Sequence, residues 1–128
     1  MSNPGLLKER LERLLLLRNR IPARFSSIQA PVDFLTTESG LEHLDSICMV
    51  LIAVGEEIKK IDRQTNGTLL PGFPQIPWDE IVGMRDFLAH HYFEADPEQI
   101  FNTCQQGVPP LIDVVQQMLA GVENGAVS

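Results

Sequence analysis

The chain has 128 residues, enough to bury one hydrophobic core, and residues 1–128 are expected to form a single helical domain. Its net charge of -7 argues against a general nucleic-acid binder, which is normally basic overall. The two cysteines, Cys48 and Cys104, lack CxxC or Cys/His spacing and are expected to be reduced core thiols.

Met1 is followed by Ser2-Asn3-Pro4 rather than a basic-then-apolar leader, which predicts no secretory signal and a cytoplasmic protein. The longest apolar run, 47–54, is far short of the ~20 residues that a membrane span requires. Leu6, Leu7, Leu11, Leu14, Leu15 and Leu17 recur at helical spacing, so a first helix starts near Pro4, with a kink or break at Pro22. This segment is basic. Residues 1–30 hold Lys8, Arg10, Arg13, Arg18, Arg20 and Arg24 against Glu9 and Glu12, whereas residues 31–128 hold four bases and fifteen acids. Such a stripe suits RNA or an acidic partner, or is a solvated face paired with neighbouring acids.

Residues 31–37 read as a short connection. Thr37-Glu38-Ser39 offers capping chemistry for a second helix of roughly 25 residues, ending near Gln64, with Leu41, Leu44, Ile47, Leu51, Val54, Ile58 and Ile61 as its apolar stripe. Turn residues from Asn66-Gly67 to Gly72-Phe73-Pro74 mark a loop. A third helix opens at Pro77 or Trp78 and runs to about His91. Asp96 caps a short fourth helix with Pro97 in its first position, and Pro109-Pro110 opens the last, with Leu111, Val114, Val115, Met118 and Leu119 on one face. No strand pattern breaks the series. The fold expected is all-α, an up-and-down bundle of four to five helices.

The chemistry concentrates in the third helix, which carries R-x-x-x-x-H-x-Y as Arg85, His90 and Tyr92. At 100° per residue, Trp78, Met84 and Leu88 fall within about 60° of Ile81, forming a buried stripe. Arg85 falls about 40° from Ile81 and Tyr92 about 20°, both inside that stripe. Asp86, His90 and Gly83 share the opposite, polar face. An arginine on an apolar stripe needs a carboxylate, a phosphate or a cleft, and Glu56 or Glu57 could brace it. Arg85 and His90 stand about 140° apart, so arginine reach, a distorted helix end or a second subunit must bring them together. Gly83 would let another helix or an RNA backbone approach, and His91 is a secondary candidate. Tyr92 reads as a modifiable hydroxyl or as an amphipathic core tyrosine.

His43, His90 and His91 lack metal-ligand spacing, and no phosphate loop or nucleophile elbow is present, so neither metal nor cofactor is expected. Metal-independent phosphate chemistry remains. Histidine moves a proton near neutral pH, arginine stabilises a phosphorane, and RNA supplies its own 2′-hydroxyl nucleophile.

The run from Ile76-Pro77-Trp78 through Gly83-Met84-Arg85-Asp86, His90-His91-Tyr92-Phe93 and Asp96 resembles the signature of HepT-like HEPN ribonuclease toxins, usually W-x-x-I-x-G-M-R-[N/D]-x-x-x-H-x-Y-F-x-x-D. Gly55-Glu56 is similar to that family's Gly-Glu motif, and Ile100-Phe101 with Pro109-Pro110-Leu111 matches its ending. The resemblance covers roughly residues 41–119 well; the first helix matches only in length and position. It implies a helical homodimer whose paired motifs line a cleft, RNA cleavage without a metal, and neutralisation by an MntA-type nucleotidyltransferase antitoxin. Carried over by position, it implies that Arg85 and His90 are the catalytic pair, Asp86 is a polar helper and Tyr92 accepts AMP from the antitoxin. A non-catalytic HEPN module that docks a nucleotidyltransferase partner is the alternative.

Overall fold

The computed structural model describes residues 3–125, so the leader reading at Met1-Ser2 lies outside them. Among the described residues there are six α-helices: α1 (Pro4–Leu15), α2 (Leu17–Phe25), α3 (Glu38–Gln64), α4 (Trp78–His90), α5 (Pro97–Asn102) and α6 (Val108–Glu123). They make four rods. α1 and α2 are one rod bent at Leu16, and α5 runs through a π-turn at Thr103–Gly107 directly into α6. The described residues contain no strand. The all-α expectation holds.

Local chemistry sets half of the helix starts. The side chain of Asn3 accepts from Leu6 N at 3.1 Å, that of Thr37 from Gly40 N at 2.9 Å, and that of Asp96 from Glu98 N at 2.9 Å. Each satisfies a backbone donor that the first turn leaves free. After α3, Asn66 and Gly67 both take positive φ, 55° and 71°, and end the helix. Trp78 Nε1 donates to the Phe73 carbonyl at 3.0 Å and ties the following loop to the start of α4.

The core is aliphatic. Leu7, Leu11, Leu14, Leu17 and Ile21 from the bent rod meet Leu44, Ile47, Leu51, Val54, Ile58 and Ile61 of α3 and Leu111, Val114, Val115 and Met118 of α6. α3 packs on α4 and α2, while α1 packs on α6. Two expectations are corrected. The break lies at Leu16, not Pro22; the proline sits inside α2, where it removes the donor for the Arg18 carbonyl and crowds it, and the rod bends ahead of that turn. Leu41 is exposed rather than part of the stripe, because the first turn of α3 lies on residues 31–34 through its other face, with Gly40 against Asp33. Among the described residues, no helix is long and apolar enough to cross a membrane.

Candidate functional site

α4 is thinly rooted in the core. Leu88 is its one fully buried residue among those described, while Trp78, Ile81 and Met84 are only partly covered. Its contact with α3 is instead closed by a glycine. A Cβ built on Gly55 would stand 2.3 Å from Arg85 Cβ and 2.8 Å from Cγ, so only glycine lets the two helices meet there. The next residue along α3 supplies the counter-charge, with Arg85 Nη2 3.0 Å from Glu56 Oε1. Gly55-Glu56 therefore acts as one unit, in which the first residue admits the arginine stem and the second holds its head.

Of the two braces expected for Arg85, the structure selects Glu56. Glu57 points the other way, to Arg10 at 3.7 Å and Arg13 at 3.6 Å. Arg85 Nη1 also donates to Asp86 Oδ1 at 2.9 Å, and Lys59 Nζ lies 3.8 Å from that same oxygen. The Arg85 hydrogen bond, aided by the charges of Lys59 and Arg85, holds the Asp86 carboxyl below its usual range against the opposing pull of desolvation. Arg85 Nε is shielded from solvent and has no hydrogen-bond partner among the described residues.

His90 ends α4 and is exposed, as are Asp86 and Gly83 on the same polar face. Its Nδ1 lies 2.9 Å from the Asp86 backbone carbonyl. A carbonyl only accepts, so the neutral ring carries its proton on Nδ1 and presents Nε2 as an open base. Among the described residues, no hydrogen bond or ion pair joins Arg85 to His90; they share only Asp86, through its carboxylate and its carbonyl. His91 packs its ring on Phe87, with centroids 5.4 Å apart, and lies 3.5 Å from Glu94.

Tyr92 corrects the helical-wheel reading. α4 stops at His90, the chain turns at His91 (φ -136°, ψ 41°), and Tyr92 begins a separate 3-10 turn, so its bearing on α4 has no meaning. Its hydroxyl donates to the Asp45 carboxylate on α3 rather than sitting beside Arg85. Asp45 and Glu56 are eleven residues apart, or about 16 Å along a straight helix. Burial and the Asp45 carboxylate push the tyrosine hydroxyl well above its ordinary pKa. Asp45 and Lys59 are the site residues that sequence reasoning passed over; Lys59 carried a signal, standing three residues beyond Glu56 on the same face of α3.

The basic first rod is largely paired. Lys8 reaches Glu123 at 3.7 Å, Arg10 reaches Glu57 and the Lys60 carbonyl, and Arg13 bridges Glu9 and Glu57. Arg24 binds Ser46 and the Arg20 carbonyl. Among the described residues, the side chains of Arg18 and Arg20 are left without such a contact. No group of three or more His, Cys, Asp or Glu side chains among the described residues could hold a metal ion.

Comparison with known proteins places the sequence in a family. Residues 19–118 match the family described as ribonuclease HepT-like. The chain belongs to the HepT-like family. A protein of Methanocaldococcus jannaschii named "Putative RNase" is 28% identical over 79 residues, covering 62% of this chain and 62% of its own length. A protein of Thermococcus cleftensis named "Probable ribonuclease HepT" is 32% identical over 66 residues, covering 52% of this chain and 56% of its own length. The similarity thus spans little more than half of each relative. No solved structure matches. In this HepT-like chain Gly55 and Glu56 of α3 meet Arg85 of α4, and the neighbouring Asp86 links Arg85, through its carboxylate, to His90, through its carbonyl.

Proposed function

We propose that the chain is a metal-independent endoribonuclease toxin that acts as a homodimer, with His90 moving the proton and Arg85 stabilising the phosphate. The observation that carries this reading is the Asp86 junction. Its carboxylate holds the Arg85 guanidinium, and its carbonyl sets the His90 tautomer with Nε2 free. In the reaction, Nε2 takes the 2′-hydroxyl proton and O2′ attacks the adjacent phosphorus. The phosphorane charge falls on the guanidinium, and the bond to the 5′-oxygen breaks. A protonated His90 of the paired copy protonates that oxygen, leaving a 2′,3′-cyclic phosphate.

A dimer is supported by what surrounds the motif. Phe93, next to Tyr92, is 100% exposed, and Met49, one turn from Asp45 on α3, is 69% exposed. Leu41 and Phe87 are exposed too. Apolar side chains of this size, left open beside a helix that buries so little, suit a second copy. The same reading makes Tyr92 the acceptor of AMP from an MntA-type nucleotidyltransferase antitoxin. Adenylation would break the contact with Asp45 and place a charged, bulky group on this apolar face.

The second reading, a docking module without catalysis, is favoured by one observation: Arg85 already lies between Glu56 and Asp86. Expression in a host cell separates the two. Growth arrest by the wild type that disappears with His90→Ala supports the ribonuclease; equal arrest by both, or none from either unmodified protein, supports the docking module.

A further inference from the structure

Asp86 Oδ1 is an anion held by two cations from two helices, with Arg85 Nη1 at 2.9 Å and Lys59 Nζ at 3.8 Å. The carboxylate is half-exposed, and Lys59 is more than half covered. An oxygen atom placed between a guanidinium and an ammonium is where a phosphate oxygen would be bound. Asp86 adjoins Arg85 on α4 and can swing outward into solvent, whereas Glu56 remains behind the guanidinium on α3.

We infer that Lys59 is a phosphate-binding residue of this site, and that the Asp86 carboxylate occupies the phosphate position until RNA displaces it. The inference rests on the ribonuclease reading and extends it to a residue outside the signature run. Lys59 supplies the second positive charge that the site needs once Glu56 has neutralised part of Arg85. It also sets the register of the strand, because Glu56, Lys59 and the Arg85 stem all lie along one edge of the α3–α4 contact.

The test reads binding apart from cleavage. A fluorescent single-stranded oligoribonucleotide with every 2′-hydroxyl methylated cannot be cut through that oxygen, and its anisotropy is followed from roughly 50 to 200 mM salt. Lys59→Ala is expected to weaken binding about 3- to 10-fold at low salt and to flatten the slope of log affinity against log salt by about 0.7 per lost phosphate contact. Lys59→Arg is expected to restore the slope. Asp86→Asn, which removes the competing anion, is expected to bind several-fold more tightly.

A merely structural lysine would weaken binding by the same factor at every salt concentration. An unchanged slope in Lys59→Ala, beside a flattened one in Arg85→Ala, therefore overturns the inference and leaves the ribonuclease reading standing. Weaker binding by Asp86→Asn overturns the displaced-anion part. A wild type that binds no oligonucleotide at the lowest salt overturns both the inference and the reading beneath it.

Discussion

Replacing Gly55 with alanine puts a methyl group where Arg85 already stands. The new Cβ would be 2.3 Å from Arg85 Cβ, and carbon atoms in contact prefer about 3.5–4.0 Å, so α4 must retreat by about 1 Å or the arginine stem must leave its place. Overpacking of this kind costs about 1–3 kcal/mol, and the better helix propensity of alanine returns about 0.5–1 kcal/mol. The net loss is about 1.5 kcal/mol. With an unfolding entropy of about 2.1 cal/mol/K per residue, that lowers Tm by about 5–6 °C for a chain of 128 residues. Under the proposed mechanism, a displacement of about 1 Å in Arg85 would also cost RNA cleavage on the order of 100-fold. The assay pairs thermal melts by circular dichroism with single-turnover cleavage, and Gly83→Ala serves as the reference. A Cβ on Gly83 meets nothing within 4 Å, so that variant should be stabilised by about 0.5–1 kcal/mol. If Gly55→Ala is stabilised as Gly83→Ala is and cleaves RNA normally, α4 does not rest on Gly55 and the proposed anchoring of Arg85 is wrong.

Four further outcomes are expected. Arg85→Ala should abolish cleavage, by 10²-fold or more, and Arg85→Lys should recover little, since one ammonium cannot span Glu56 and Asp86; wild-type rates in either would remove Arg85 from the chemistry. Tyr92→Phe should cleave RNA normally yet stay unmodified by the nucleotidyltransferase, as read by intact mass, and adenylate on another residue of the wild type would contradict this. Phe93→Asp with Met49→Asp should shift a dimer to monomer in light scattering without lowering Tm, and an unchanged mass would place the interface elsewhere. Burial raises the Cys48 thiol from 9.0 to about 11 and the Cys104 thiol from 9.0 to about 12. Both stay protonated in the folded chain while the unfolded chain ionises above pH 9, so their contribution is complete below that pH and is lost as pH rises toward 11–12. Tm should fall over that window, and Cys48→Ala should fall less steeply although it starts lower.

Helix starts were legible because caps are local. Thr37, Asp96-Pro97 and the Asn66-Gly67 stop each act within one turn of themselves. The choice of Glu56 over Glu57 was half legible: both were in range, but neighbours on a helix point about 100° apart, and only the structure shows which faces α4. The end of α4 was legible to within a residue, since the helix was expected to run to about His91 and stops at His90. What was not legible is where Tyr92 points, because its hydroxyl meets Asp45 across 47 residues of sequence. Helical bearings fail beyond the helix end, which is why Tyr92 was placed beside Arg85. The bend at Leu16 escaped for a similar reason, since the proline that constrains the rod lies farther along it. Asp86 and His90 share a face in sequence and structure alike, but the tautomer that leaves His90 Nε2 open depends on a backbone carbonyl, which no side-chain pattern records.

Whether His90 cleaves RNA without a metal is decided by incubating purified, unmodified protein with labelled cellular RNA in EDTA. Wild-type protein should cut the RNA to products ending in 2′,3′-cyclic phosphate, while folded His90→Ala leaves it intact. Equal cleavage by both proteins, or none by the folded wild type, would contradict the claim and leave Arg85, Asp86 and Lys59 as a docking site.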